Sequence, residues 1–378
     1  MPPPEGQLQP LRCVGRDGVL IVPSQLTTRN AVRQIVFFGA HLPVSREDAY
    51  LFRWRAAQMP RYAEIWLLLL DETSDPHALD QAANLSRATR AASCLWNASQ
   101  VFNRLPQFAS ALKKSPAYVS EWDPHLKRYY WMHTSLLLWN DTLAHAYPRY
   151  KYVWRIEPDV MYSGNMSSLL QQSSKMRTDV VLPRYIRKAW DDEVARVRQI
   201  IWGRKKNFSN PNVTYYHWKS HADVLSGIKQ QVLVRSLVSI GRYSRRFLDL
   251  LYNEYWRPGI PMYEEILLPL ACFKAGYLKC LLGSWSSNFK GLAHVTLATH
   301  FRFKPSYFHE DFLDALQADT GEIWHPIKKR SHVAMALGFS NGSESMQPSA
   351  PWPPKLNRQA RPPSRPKKKR LNKHARKG

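Results

Sequence analysis

Short apolar runs alternate with segments of helical spacing along most of the chain. "RQIVFFGAH" (33–41) is β-branched and aromatic, the pattern of a buried strand. "SREDAYLFRWRAAQM" (45–59) opens on a serine with acids behind it and continues at helical spacing, which predicts a helix. "EIWLLLLDET" (64–73) predicts a second buried strand closing on acids. Strand, helix, strand in that order predicts a parallel α/β sheet. Residues 74–125 are polar and mixed, with weak helical signals. "LKRYYWMHTSLLLWNDTLAHAY" (126–147) predicts a helix that feeds a third strand, "YKYVWRIEPD" (150–159). "TDVVLPRY" (178–185) predicts a fourth strand, and "DDEVARVRQIIWG" (191–203) a helix ended by glycine. "QVLVRSLVSIGRYSRRFLDLLYNEYW" (231–256) reads as a strand or helix, then an amphipathic helix. "PMYEEILLPLACFKAG" (261–276) reads as a helix with proline near its first turn and glycine past its end. "HVTLATHFRFKP" (294–305) predicts a late strand.

The ends break the pattern. Residues 1–30 are Pro-rich and non-periodic, which predicts a flexible N-terminal segment. Order is expected to fade after "WHPIKK" (324–329), leaving 331–378 as a disordered basic tail rich in Pro, Lys and Arg. One domain over 31–330 is the expectation.

Composition sharpens this picture. A hydrophobic share of 44% with 14 Trp excludes a disordered protein. The net charge is +25, with 11 Lys/Arg and no acid in 345–378. Such an excess points to anionic partners: nucleic acid, acidic membrane or phosphorylated small molecules. No run approaches the roughly 18 apolar residues of a membrane span. The first residues lack the apolar stretch of a signal peptide, so the expectation is a soluble chain or one whose natural start is missing. Seven asparagines begin an Asn-x-Ser/Thr triplet: Asn84, Asn97, Asn140, Asn165, Asn207, Asn212 and Asn341. That number favours the secretory lumen, ER or Golgi. The four cysteines show no metal spacing. Cys272 and Cys280 suit a disulfide in an oxidising lumen, and two buried free thiols suit them equally.

The candidate chemistry lies at the end of the third strand. Glu157 and Asp159 sit two apart around Pro158, after apolar residues of strand character. Proline forces the residue before it into an extended conformation, and residues i and i+2 of extended chain point the same way. In open α/β sheets, ligands bind at the carboxyl ends of strands. Two carboxylates there would suit a hard divalent cation, Mn²⁺ or Mg²⁺. Spacing alone does not single this pair out, because Glu121/Asp123 and Asp191/Glu193 share it. Those two have structural explanations beside a proline and at a helix start.

The block "WRIEPDV" resembles the carboxylate-x-Asp motif of GT-A-type nucleotide-sugar glycosyltransferases. It is similar to the W-R-x-E-P-x-V block of fungal α-1,2-mannosyltransferases, and to glycosyltransferase-like eukaryotic proteins that add a late His-Pro-x-Lys. Here that is "HPIKK", His325 to Lys329. The resemblance implies a GT-A-like, Rossmann-like, mostly parallel sheet flanked by helices. It implies a nucleotide-sugar donor, a glycan or glycoprotein acceptor, and transfer of a hexose. It implies metal ligands Glu157, Asp159 and His325, with His300 as an alternative imidazole. Trp154, Lys328 and Arg302 would contact the donor. Glu264 or, by preference, Glu265, at the start of the 261–276 helix, would deprotonate the acceptor hydroxyl in an inverting enzyme or face the sugar in a retaining one. The fungal enzymes' downstream Arg-Trp-Gly-Asp stretch has no counterpart, so donor sugar and stereochemistry stay open. The usual membrane anchor does not appear in this sequence, so the expectation is either an incomplete N-terminus or an enzyme held by partners.

Two other classes fit parts of the sequence. The tail suits nucleic-acid phosphates, yet it lies outside the folded region and lacks interleaved aromatics, so no nucleic acid is expected. A transferase fold without activity, used for binding, is the other alternative.

Overall fold

The computed structural model describes residues 11–72, 75–115, 118–119, 127–183, 236, 238–283, 296–297, 309–327 and 329–339. The strands are β1 (Arg12–Val14), β2 (Gln34–His41), β3 (Ala63–Leu70), β4 (Ala92–Trp96), β5 (Tyr152–Ile156), β6 (Met161–Tyr162), β7 (Val180–Pro183), β8 (Ile240–Ser244), β9 (Cys280–Gly283), β10 (Thr296–Leu297) and β11 (Glu322–Trp324). The helices are α1 (Arg46–Ala56), α2 (Ala78–Thr89), α3 (Ala98–Arg104), α4 (Pro106–Lys114), α5 (Thr134–Leu143), α6 (Met166–Ser174), α7 (Arg245–Leu251), α8 (Glu264–Ala275), α9 (His309–Gln317) and α10 (Arg330–Ala336).

Eight strands form one sheet in the order β1-β4-β3-β2-β5-β8-β7-β9. The run β4-β3-β2-β5 is parallel throughout, while β1 and β8 run against it. The expected mostly parallel, helix-flanked sheet is therefore what the chain builds. All eight residues of β3 are buried, because helices cover both faces. One large cluster holds Phe37, Trp66, Trp139 and Trp256; a second, on the other face, holds Phe38, Leu67, Leu69 and Trp154.

Chain order explains where a ligand would sit. The chain passes from β2 outward through β3 to β4, then returns to β5 on the opposite side of β2. The carboxyl ends of β2 and β5 therefore flank the point where strand order reverses, the usual crevice of such sheets.

Local chemistry sets several boundaries. Ser45 caps α1 by accepting from the Asp48 N–H, and acids fill the first turn. Asn97 and Gln100 form a reciprocal capping box on α3. Gly276, at φ 70°, ends α8.

Several expectations need correction. Residues 11–30, expected to be flexible, include β1, which pairs with β4 and is joined to it by a Cys13–Cys94 disulfide. Cys272 and Cys280 form a second disulfide. The 74–125 stretch hides β4 beneath three helices, α2, α3 and α4. The 126–147 helix is broken: a 3-10 turn covers Arg128–Tyr130, and α5 begins only at Thr134. Order also outlasts residue 330, because Val333, Ala334 and Leu337 pack with Tyr50, Leu51 and Trp54 of α1. The helix expected at 191–203 and the basic run of 345–378 lie outside the described residues. Among the described residues, no helix is long and apolar enough to cross a membrane.

Candidate metal-binding cleft

The site starts from a proline turn. β5 ends at Ile156, and Glu157 donates its N–H to the Ser239 carbonyl at 2.8 Å. Pro158 then turns the chain, so that β6 leaves the main sheet and joins a small second one, β10-β11-β6. β6 pairs antiparallel with β11, Trp324 opposite Met161. Continuing that register by one residue sets His325 opposite Val160, next to the acid pair. The Ile327 N–H donates to the Asp159 carbonyl at 2.8 Å and locks this arrangement.

Glu157, Asp159 and His325 consequently meet. His325 Nε2 lies 3.9 Å from Glu157 Oε2 and 3.7 Å from Asp159 Oδ1. One ligand atom from each falls within 4.8 Å of the others. All three are largely buried, with side chains 14%, 12% and 8% exposed. Beside it is a cavity of about 280 Å³, lined by Gly39 and Ala40 from the end of β2, Leu70 from β3, Arg155, Tyr129 and Arg330.

Three arginines frame the acids. Arg155, in β5, is buried with Nη1 3.7 Å from Glu157 Oε1. Arg55, in α1, donates to the Val160 carbonyl at 3.1 Å and the Pro158 carbonyl at 3.3 Å, fixing the backbone on both sides of Asp159. Burial lowers its pKa to about 9, with Asp48 and Asp159 pulling it back up. Arg330, at the start of α10, forms a forked contact with Asp48, which raises its pKa. The Tyr129 phenol is pushed well above its ordinary value, first by the charge of Glu157, then by burial and Glu265.

The expected catalytic pair divides. Glu264 is fully buried, and both its oxygens are committed to His133: Oε1 to the backbone N–H at 2.5 Å, Oε2 to Nδ1 at 2.6 Å. His133 Nε2 in turn meets the Tyr243 hydroxyl at 2.9 Å. A catalytic role for Glu264 is corrected by this geometry, since it clamps the start of α5 to the start of α8. Glu265 is 4% exposed, and its charge acts on Tyr129, which lines the cavity. Trp154 is also corrected: it packs in the core, its indole N–H donating to Gln34 Oε1 at 2.8 Å, and is absent from the cavity lining. Its neighbour Arg155 faces the cavity instead, as alternation along a strand requires. Lys328, Arg302 and His300 lie outside the described residues.

No protein-family model matches the chain, and no curated protein is similar to it in sequence. Solved structures do match in shape. Core-mannan synthase A from Aspergillus fumigatus, in its Mn/GDP form, is 11% identical over 75% of this chain and 79% of its own, at a TM-score of 0.31. The mannosyltransferase Ktr4p from S. cerevisiae is 15% identical over 64% of this chain, which spans 62% of its length, at a TM-score of 0.29. A mycobacterial protein is 12% identical over 83% of this chain and 82% of its own, at 0.33. At scores this low, the function has to be argued from this chain's own residues.

Proposed function

We propose that the protein is a metal-dependent glycosyltransferase of GT-A type, moving a hexose from a nucleotide diphosphate sugar to a hydroxyl of a glycan or glycoprotein. The observation that carries this reading is the convergence of Glu157, Asp159 and His325 beside a cavity at the carboxyl ends of β2 and β5. The donor set fits Mn²⁺ or Mg²⁺. At metal–ligand distances of about 2.1 Å, neighbouring ligand atoms stand about 3 Å apart and opposite ones about 4 Å, and the separations from His325 fall inside that range. Two carboxylates also supply the charge that a hard cation prefers. When bound, the ion would neutralise the diphosphate leaving group.

The remaining roles belong to the chain. Arg155 braces Glu157, and Arg55 holds the Asp159 backbone. Arg330, kept in place by Asp48 and lining the cavity, presents a guanidinium suited to a phosphate oxygen. Glu265 would take the proton of the acceptor hydroxyl. Lys328 and Arg302 are further donor contacts under this reading, and His300 an alternative ligand to His325. The two disulfides and the Asn-x-Ser/Thr triplets support a working place in the ER or Golgi lumen.

The test is a screen of nucleotide sugars with Mn²⁺, run on the parent and on Asp159→Ala. Loss of a charge-holding group predicts a fall in turnover of at least about a hundredfold. Equal turnover would remove Asp159 from the mechanism. Titration of GDP and UDP with and without Mn²⁺ tests the fold of use: nucleotide binding that ignores the metal would sink the transferase reading.

A further inference from the structure

The opposite end of the strands, where β3 begins, carries a second, larger cavity of about 810 Å³, within the range of ligand sites, about 300–1,000 Å³. It is lined by the start of β3 and by the ends of α1 and α2, a full strand length from the acid pair. Five arginines line it: Arg16, Arg29, Arg53, Arg61 and Arg90. The one acid in the lining is Glu64, buried at the floor, and two arginines already share it: Arg16 at 2.9 Å and Arg29 at 2.9 Å.

The helix ends explain part of this charge. Cations are favoured at helix C-termini, and Arg53 donates to the Ala88 carbonyl at 3.2 Å. They do not explain why two such cations are set against each other. Burial and then the charge of Arg90 lower the pKa of Arg53. Arg90 is the C-cap of α2, in the left-handed conformation (φ 57°) that commonly ends a helix. A group of like charges with one shared counter-charge is a surface suited to an anion.

We propose that this groove binds an acidic polysaccharide, a linear chain of sugar units bearing sulfate groups. Guanidinium forks match sulfate oxygens two at a time, and several in a row match a chain that repeats them. The groove is concave, which suits a chain rather than a flat lipid surface. None of its lining residues is aromatic, so it offers no face on which nucleic-acid bases could stack. No residue of the metal cleft takes part, so the groove stands or falls independently of the transferase reading.

Affinity alone would not locate the contact, because the lysine-rich residues 345–378 also attract polyanions. The experiment therefore labels arginines of the full chain with phenylglyoxal, with and without a heparin-derived hexasaccharide, and maps protection by mass spectrometry. Protection of Arg53, Arg61 and Arg90 is expected, and an uncharged dextran oligosaccharide should give none. A double variant, Arg53→Gln with Arg90→Gly, should lose the hexasaccharide's protection of Arg61 at unchanged melting temperature, since glycine accepts the backbone at position 90. Protection confined to 345–378, undiminished protection of Arg61 in the variant, or protection by a single-stranded oligonucleotide but not by the polysaccharide would each overturn the proposal.

Discussion

Glu264 and His133 lie in the core below the cleft, and their shared proton gives the fold a pH dependence. Burial raises the Glu264 carboxyl from 4.5 to about 8 and lowers the His133 imidazole well below 6.5. The 2.6 Å contact would equally suit an ion pair, but burial favours the neutral forms. Either arrangement holds one proton, so the linkage to stability is the same. Below about pH 4.5 the unfolded chain binds two protons at these groups and the folded protein one, so stability rises with pH. Between about 4.5 and 6.5 each state holds one, and stability is flat. From about 6.5 to 8 only the folded protein keeps the proton, so stability falls as pH rises, by about 2 kcal/mol. Glu264→Gln should abolish that last fall. Urea unfolding of parent and variant at the two ends of this window measures it, and parallel losses in both would refute the assignment.

At the scale of elements, the cleft depends on α1 reaching across to the β5–β6 turn. Arg55 supplies donors to two carbonyls of that turn from within the core. Arg55→Met keeps most of the packing and removes those donors. By the scale of outer-layer partners at metal sites, Mn²⁺ affinity should drop about 10- to 100-fold, with the circular dichroism of the sheet unchanged. Affinity equal to that of the parent would mean the turn holds itself. Such a residue is hard to find in sequence, because an arginine on a helix reads as solvent-facing until its neighbours are known. β2, β3 and β5 were legible because long apolar runs leave few alternatives. β4 was not: "ASCLW" is short and lies among helices, and its burial comes from neighbouring strands and β1. The break before α5 leaves no mark in the sequence, because aromatic residues of the 3-10 turn continue the helical spacing. The acid pair was visible from Pro158 and its place after a strand. His325 was reachable only through resemblance, since the small sheet that brings it in has strands of two or three residues with no readable period.

For the whole molecule, the disulfides tie peripheral strands to the core that carries the cleft. β1 has three residues, too few to hold an edge position by pairing alone, and Cys13–Cys94 joins it to β4 across a sequence separation of 81. Cys272–Cys280 closes a short loop between α8, which carries Glu264 and Glu265, and β9. In the loop-entropy description, the longer crosslink is worth about 4.5 kcal/mol and the shorter about 2.5 kcal/mol. The longer one should therefore dominate. A Cys13→Ser/Cys94→Ser double variant is expected to melt roughly 6 °C lower than the parent, and Cys272→Ser/Cys280→Ser to lose less. Scanning calorimetry of both, beside the parent with and without reductant, decides the order. If reductant leaves the parent's melting temperature unchanged, the bridges do not form in solution, and only the asparagine triplets then point to the secretory lumen. Among these, Asn207, Asn212 and Asn341 lie outside the described residues, while Asn84 is exposed on α2 and open to a glycan.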